Sequence, residues 1–139
     1  MRVSPFVDSN VVLYLLSADT ARADRAEQVL EHGAVISVQV LNEVANVARR
    51  KLRLPWRAVD ELLATLRAVC AVESLTLDTH DTGRRIAERY GLSVWDAMIV
   101  ASALLAGCET LYSEDMQDGL LIDRKLRIHN PFTAAPRRG

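Results

Sequence analysis

The chain has 139 residues, about the size of one ordinary domain, and half of them are apolar while a quarter are charged. This composition excludes a disordered protein. The longest apolar run near the start covers only residues 11–16, and Asp8 and Asn10 interrupt the residues before it. We therefore expect neither a transmembrane helix nor a signal peptide. A net charge of −1 and a pI near 6.3 lack the basic excess that is typical of nucleic-acid-binding proteins.

Short apolar segments alternate with longer helical patterns, which predicts a parallel sheet covered by helices. Gly33, Gly91 and Gly107 stand where C-cap glycines are typical, and Asp78 and Ser93 stand where N-caps are typical. No repeat, linker or low-complexity segment is present, so we predict one domain over 1–135 and a frayed basic tail over 136–139. The predicted strands are 3–7, 34–37, 73–77, 110–113 and a weaker 126–129; the predicted helices are about 10–17, 20–32, 38–52, one from 55, 78–90 and 94–106.

The two cysteines, Cys70 and Cys108, lie in apolar surroundings with no His or Cys beside them. We interpret them as reduced core residues of a cytoplasmic protein, not as a disulfide or a zinc site.

Four acids from distant parts of the sequence are predicted to meet at one edge of the sheet. Asp8 follows the first strand and Asp115 lies just past the fourth, so both belong at the carboxyl edge, where open parallel sheets place their ligand sites. Glu43 is less than two helical turns beyond the second strand. The short link 107–109 requires the helix over 94–106 to begin at the carboxyl edge, which brings Asp96 to the same side.

Such a cluster is unstable without a counter-charge, because like charges raise one another's pKa and burial adds a desolvation cost. Carboxylates with water are the ligands that Mg²⁺ and Mn²⁺ prefer, and His32, His80 and His129 lie elsewhere in the sequence, which argues against zinc. A metal held in this way activates a bound water and stabilises charge on a phosphoryl oxygen. No convincing Ser/His/Asp or Cys/His set accompanies the acids, so the sequence favours metal-dependent phosphodiester chemistry.

Each acid taken singly has a simpler explanation. Asp8 would cap the next helix, and Glu43 would be a solvated residue on the polar side of its helix. Asp115 and Asp118 would form turns. Asp96 is more informative, because it is the only charge between residues 94 and 106 and its flanks are apolar.

The same residues carry motifs that resemble those of the PIN-domain family over nearly the whole chain. The motifs stand in the family's order with suitable spacing, and the set is specific although no single motif is. The matching segments are Asp8-Ser9-Asn10-Val11-Val12-Leu13-Tyr14, Ser37 through Glu43 to Ala48, Val94-Trp95-Asp96-Ala97, Ser113-Glu114-Asp115-Met116-Gln117-Asp118-Gly119 and Asn130-Pro131-Phe132.

The resemblance implies a three-layer α/β/α sandwich with a central, mostly parallel sheet, and metal-dependent endoribonuclease activity. It also implies the toxin of a VapC-type toxin–antitoxin pair, a cytoplasmic homodimer inhibited by a small antitoxin. By position it implies a catalytic set of Asp8, Glu43, Asp96 and Asp115, a Mg²⁺ or Mn²⁺ site of Asp8, Asp96, Asp115 and Asp118, and accessory roles for Ser113 and Asn10.

Our first hypothesis is therefore hydrolysis of RNA, with the basic run of Arg49, Arg50, Lys51 and Arg53 receiving the RNA backbone. A nuclease that processes RNA without a toxin role is an alternative. A Mg²⁺-dependent phosphatase or phospho-acceptor domain is disfavoured, because position 10 is Asn where such folds carry a second aspartate. A non-catalytic module whose acids bind a basic peptide is disfavoured by the intact set of four acids.

Overall fold

A computed structural model describes residues 3–133 of the chain. Six helices surround six short strands. The strands are β1 (Phe6–Val7), β2 (Ala34–Ser37), β3 (Cys70–Glu73), β4 (Thr110–Tyr112), β5 (Leu121–Ile122) and β6 (Leu126–His129). The helices are α1 (Ser9–Leu13), α2 (Thr20–Leu30), α3 (Val38–Arg50), α4 (Trp56–Val69), α5 (Leu77–Tyr90) and α6 (Val94–Leu105), with a 3₁₀ turn at Tyr14–Leu16 between α1 and α2.

The strands form one sheet in the order β3-β2-β1-β4-β6-β5, and every neighbouring pair is parallel except β5 with β6. The central strand β1 is buried on both faces, since Phe6 and Val7 have no exposed surface. A strand buried on both faces requires helices on both sides of the sheet. The predicted α/β/α sandwich with a mostly parallel sheet is confirmed.

The apolar helix α6 belongs to the core, as its sequence predicts, because Ala97 through Ala103 are all buried. It packs against α5, where Gly83 permits the close approach: a Cβ atom at position 83 would lie 2.7 Å from the sulfur of Met98. The predicted core cysteines are also confirmed, since Cys70 and Cys108 are free and buried. Within residues 3–133, no helix combines the length and apolar character that a membrane span needs.

Three boundary predictions near the third strand and the first helix are wrong. The third strand is Cys70–Glu73 rather than 73–77, because α4 ends at Val69 and Cys70 pairs directly with Ala34 without a loop between helix and strand. The α5 helix is capped by Thr76, whose side chain exchanges hydrogen bonds with Thr79, so Asp78 lies inside the first turn. The first helix ends at Leu13 and tightens into the 3₁₀ turn.

The first strand is also shorter than predicted, and β5 lies where the sequence predicts no strand. β5 is two residues long and pairs with β6 in a hairpin, so it has no periodicity of its own that a sequence pattern would reveal. The predicted basic tail over 136–139 lies outside the described residues.

Candidate metal centre

Asp8 occupies the junction between β1 and α1. Its backbone N–H donates to the Tyr112 carbonyl at 2.9 Å, which continues the β1–β4 pairing by one residue. Its side chain caps α1, because Oδ1 accepts from the Ser9 backbone N–H at 2.7 Å. The capping explanation is thus correct, and it leaves the second carboxylate oxygen free for other contacts.

The second oxygen of Asp8 lies in a buried polar pocket. Oδ2 accepts from the Ser113 hydroxyl at 2.8 Å and from the Asn10 side-chain amide at 3.3 Å. Burial raises the pKa of Asp8 from 3.8 to about 6, while the hydrogen bonds from Ser113 and Ser9 oppose the shift. The nearby charges of Glu43 and Asp96 raise this pKa further, which indicates that the three acids share one electrostatic environment.

Glu43 lies on α3 and is held from two sides. The Ser9 hydroxyl donates to its Oε1 at 2.8 Å, and the Gln39 side-chain amide donates to its Oε2 at 3.2 Å. Gln39 also donates to the backbone carbonyl of Trp95 at 3.1 Å, so it connects α3 with the start of α6. Sequence reasoning missed both Ser9 and Gln39. The available signals were the position of Ser9 next to Asp8 and that of Gln39 one helical turn before Glu43.

Asp96 lies in the first turn of α6, where its backbone N–H donates to the capping Ser93 hydroxyl at 3.1 Å. Partial burial raises the pKa of Asp96, and the charges of Asp115 and Glu43 raise it as well. Because Asp115 is the largest charge acting on Asp96, the loop after β4 and the start of α6 face each other. The carboxylates of the cleft therefore repel one another in the folded chain.

All four predicted catalytic acids line one open cleft of about 250 Å³ at the carboxyl edge of the sheet. Among the described residues, no Lys, Arg or His lines this cleft, so no side chain of the cleft neutralises the acids. This donor set of carboxylates fits a hard divalent cation. The lining residues are Asp8, Ser9, Asn10, Glu43, Asn46, Val47, Asp96, Ile99 and Asp115.

The acids line the cleft without forming a closed set of ligands. Over residues 3–133, no three Asp, Glu, His or Cys side chains are already arranged to hold one ion. At least one carboxylate would have to turn toward the ion. Asp115 is exposed and Asp96 half-buried, so both have room to do so.

The predicted accessory residues lie beside Asp8, whereas Asp118, a predicted metal ligand, lies outside the cleft. Ser113 and Asn10 contact Asp8, and Asn10 also accepts from the Glu114 backbone N–H at 3.1 Å. Asp118 does not line the cleft: its Oδ1 accepts from the Asn130 backbone N–H at 2.9 Å. The structure therefore does not bring Asp118 together with the other acids.

The four basic residues of the predicted RNA contact are exposed and differ in their surroundings. Arg49 donates to the Leu54 carbonyl at 2.9 Å, and its guanidinium lies 4.7 Å from the centre of the Trp56 ring. Arg50 follows Asn46 and Val47 by one helical turn, so it extends the cleft-lining face of α3. Lys51 is the C-cap residue of α3. Arg53, two residues later, has a left-handed backbone conformation.

The family model of the PIN domain matches residues 6–117, which include all four acids of the cleft. The chain belongs to the PIN domain family. A comparison with curated proteins found no match.

Several solved structures are similar to this PIN domain over nearly its whole length. VapC20 of Mycobacterium tuberculosis, described as a toxin that cleaves the sarcin–ricin loop, is 26% identical, with 81% of this chain and 90% of that chain covered and a TM-score of 0.67. A toxin–antitoxin complex from Klebsiella pneumoniae is 23% identical, with 94% and 100% covered and a TM-score of 0.70. VapBC2 of Rickettsia felis, bound to a promoter DNA fragment, is 16% identical, with 91% and 97% covered and a TM-score of 0.65. The predicted likeness to VapC-type PIN toxins is confirmed.

Proposed function

We propose that this PIN domain is a ribonuclease that depends on Mg²⁺ or Mn²⁺ and acts as the toxin of a toxin–antitoxin pair. One observation carries the proposal: Asp8, Glu43, Asp96 and Asp115 line a single cleft that contains no basic side chain among the described residues. Burial and neighbouring charges raise the pKa of Asp8 and of Asp96, and a multivalent cation bound in the cleft would offset this cost. The match to the PIN domain and the likeness to an RNA-cleaving toxin support the choice of RNA as substrate.

Each acid would have a distinct task in the cleft. A divalent ion bound there would supply an activated water and charge stabilisation at the phosphoryl oxygens. Asp8, Asp96 and Asp115 would hold the ion, and Glu43 would orient the attacking water. Glu43 suits this task because Ser9 and Gln39 fix its carboxylate from two sides. Asp118 is left out of the ligand set, since its carboxylate is bonded to the Asn130 backbone outside the cleft.

The homodimer predicted from the resemblance would use the exposed apolar ends of α6. Val94, Trp95 and Leu105 are 51%, 71% and 52% exposed, although the middle of the same helix is buried. The dimer proposal requires that these exposed side chains become part of an interface. Light scattering of the purified chain measures the mass, and a monomer at micromolar concentration would contradict the dimer.

The antitoxin partner would occupy an apolar groove on another part of the molecule. The groove has a volume of about 710 Å³ between α4 and the segment from the 3₁₀ turn to α2. Its wall includes Leu16, Leu30 and Leu62, and its rim carries Glu27 and Glu61. An amphipathic antitoxin helix with basic flanks fits both the apolar wall and the acidic rim. Replacing the exposed Leu16 with Ser should weaken binding of such a helix, and an unchanged affinity would contradict this assignment of the groove.

RNA cleavage tests the nuclease proposal directly. We expect the wild-type chain to cut structured RNA with Mg²⁺ or Mn²⁺ and to stop when EDTA is added. Asp8→Asn and Asp96→Asn should each lower the rate by about 10²-fold or more, because each removes a charge on which the ion depends. Asp60→Asn, which changes an exposed acid on α4, is the matched control and should retain the wild-type rate. Cleavage that persists in EDTA, or in both cleft variants, would show that the proposal is wrong.

A further inference from the structure

Two adjacent acids follow β4, and only one of them faces the cleft. Asp115 lines the cleft, whereas the carboxylate of Glu114 turns toward α2 and the 3₁₀ turn. Glu114 accepts from the Arg22 guanidinium at 2.6 Å and from the Tyr14 hydroxyl at 2.7 Å. Its backbone N–H donates to the Asn10 side chain at 3.1 Å. The residue next to Asp115 is therefore held by three contacts from other elements.

Arg22 is itself confined by aromatic side chains. Its guanidinium carbon lies 5.0 Å from the centre of the Tyr14 ring and 5.2 Å from that of Phe132. The two rings meet edge to face with centres 4.5 Å apart. A guanidinium that lies over two rings keeps its planar fork in one orientation. Glu114 also raises the pKa of Arg22, as expected for a direct ion pair.

Phe132 reaches this position through the closing segment Asn130-Pro131-Phe132. The Asn130 backbone N–H donates to Asp118, and the Asn130 side chain accepts from the Phe132 backbone N–H, both at 2.9 Å. Asp118 thus fixes the turn that delivers Phe132 to Arg22. These contacts assign a structural role to the closing segment and to Asp118, and this role does not involve metal binding.

We propose that Arg22 and Glu114 form a positioning pair that keeps Glu114 out of the cleft and holds Asp115 in it, and thereby sets the affinity of the cleft for a divalent cation. This inference rests on the proposed function, because it concerns the same ion. Without Arg22, Glu114 would be an unpaired acid one residue from Asp115. Its charge and its longer side chain would then disturb the loop that presents Asp115.

Binding of Mn²⁺, measured by calorimetry on the full chain without RNA, tests the pair. We expect Arg22→Met and Glu114→Gln each to weaken binding about fivefold, and the double variant to weaken it no further, since both changes break the same contact. Arg22→Lys, which keeps the charge but loses the planar fork over the two rings, should recover binding only in part, to about threefold below the wild type. At saturating Mn²⁺ the cleavage rate of each variant should return to within about threefold of the wild type, because only positioning is lost.

Arg84→Met is the matched control. Arg84 forms an ion pair with Glu88 on α5, so this variant breaks the same kind of contact on a helix that takes no part in the proposal. We expect this variant to bind Mn²⁺ within twofold of the wild type. Unchanged or tighter binding by Arg22→Met, or an equal loss in Arg84→Met, would overturn the positioning pair alone. Failure of the wild-type chain to bind Mn²⁺ would instead overturn the proposed function and the pair with it. If Arg22→Met does not fold, Glu114→Gln and Arg22→Lys decide the question.

Discussion

Ser113 donates a hydrogen bond of 2.8 Å to Oδ2 of Asp8 across 105 positions of sequence. Ser113 has no exposed surface, and Asp8 is 4% exposed. A buried carboxylate that accepts a hydrogen bond from a neutral hydroxyl is kept closer to its charged form. This contact joins the ends of β1 and β4, the two strands that deliver Asp8 and the Asp115 loop to the cleft.

We expect Ser113→Ala to raise the pKa of Asp8 above its value of about 6, because the hydrogen bond that opposes the effect of burial is lost. The acid limb of the pH–rate profile for RNA cleavage should move upward by about one pH unit. At pH 8 the variant should also lose about 1–3 kcal/mol of unfolding free energy, since the partner is a charged group.

Ser102→Ala is the matched control for this substitution. Ser102 is 2% exposed, and its hydroxyl has no hydrogen-bond partner in the part of the chain that the structure describes. The same chemical change at this position should leave the pH–rate profile unmoved and the stability unchanged or slightly increased. A profile that does not move in Ser113→Ala would contradict the role assigned to this hydroxyl.

Stability without metal should fall as pH rises from about 4 to about 6 through the titration of Asp8. The folded-state pKa is about 6 and the ordinary value is 3.8, so the folded state binds more protons in this window and loses stability as they leave. At about 1.4 kcal/mol per pKa unit, the full effect is about 3 kcal/mol. Asp8→Asn should abolish this loss, so that in EDTA it is more stable than the wild type at pH 7.5.

Urea unfolding at pH 4.5 and pH 7.5 in EDTA measures this dependence. The quantity of interest is the difference in unfolding free energy between the wild type and Asp8→Asn, since the contributions of acids distant from the cleft cancel in it. Asp96 has a raised pKa as well and contributes in the same direction in both proteins. A difference that is equal at the two pH values would show that Asp8 is not the titrating group.

Addition of a divalent cation should reverse the instability of the charged cleft. At a concentration one hundred times its dissociation constant, a bound ligand contributes about 2.7 kcal/mol of stability, or roughly 10 °C in Tm for a domain of this size. We expect Mn²⁺ to produce such a shift in the wild type at pH 7.5 and little shift in Asp96→Asn. Differential scanning fluorimetry with Mn²⁺ and with EDTA measures both, and an equal shift in the two proteins would rule out Asp96 as a ligand.

The exposed arginines at the end of α3 should differ in their effect on RNA. Arg50 extends the cleft-lining face, so Arg50→Ala should raise KM about fivefold and lower the salt dependence of RNA binding by about one charge. Arg49→Ala should cost stability instead, because Arg49 binds the Leu54 carbonyl and lies over the Trp56 ring. RNA binding at several salt concentrations separates the two effects. Equal losses of binding in both variants would show that the basic run acts only through its net charge.

Much of the fold followed from local patterns. The bounds of β2 agree with the prediction because Gly33 precedes it and the α3 pattern begins directly after Ser37. The third strand was misplaced because Leu75 and Leu77 look like strand residues, yet they are 45% and 76% exposed. Pairing with β2 selects Cys70–Glu73 instead, and this pairing depends on residues far away in the sequence.

The candidate site likewise has a part that the sequence predicts and a part that depends on the folded structure. The chain order of strands and helices placed Asp8, Glu43, Asp96 and Asp115 on one edge, since parallel strands all end at the same edge. The resemblance to the PIN-domain family added Asp118 to the metal site, and Asp118 stands only three residues beyond Asp115. In the structure, the Asp118 carboxylate instead accepts a hydrogen bond from the Asn130 backbone N–H, outside the cleft.

The amino-acid order alone thus determined the kind of sheet and the acids that gather at its edge, because helix and strand periodicities and strand ends are local properties. The partners of each acid were decided only when distant segments packed together. Ser113 reaches Asp8, Gln39 connects Glu43 with α6, and Arg22 draws Glu114 away from Asp115. Hydrogen bonds and ion pairs act over a few ångströms, and such distances between remote residues exist only in the folded chain.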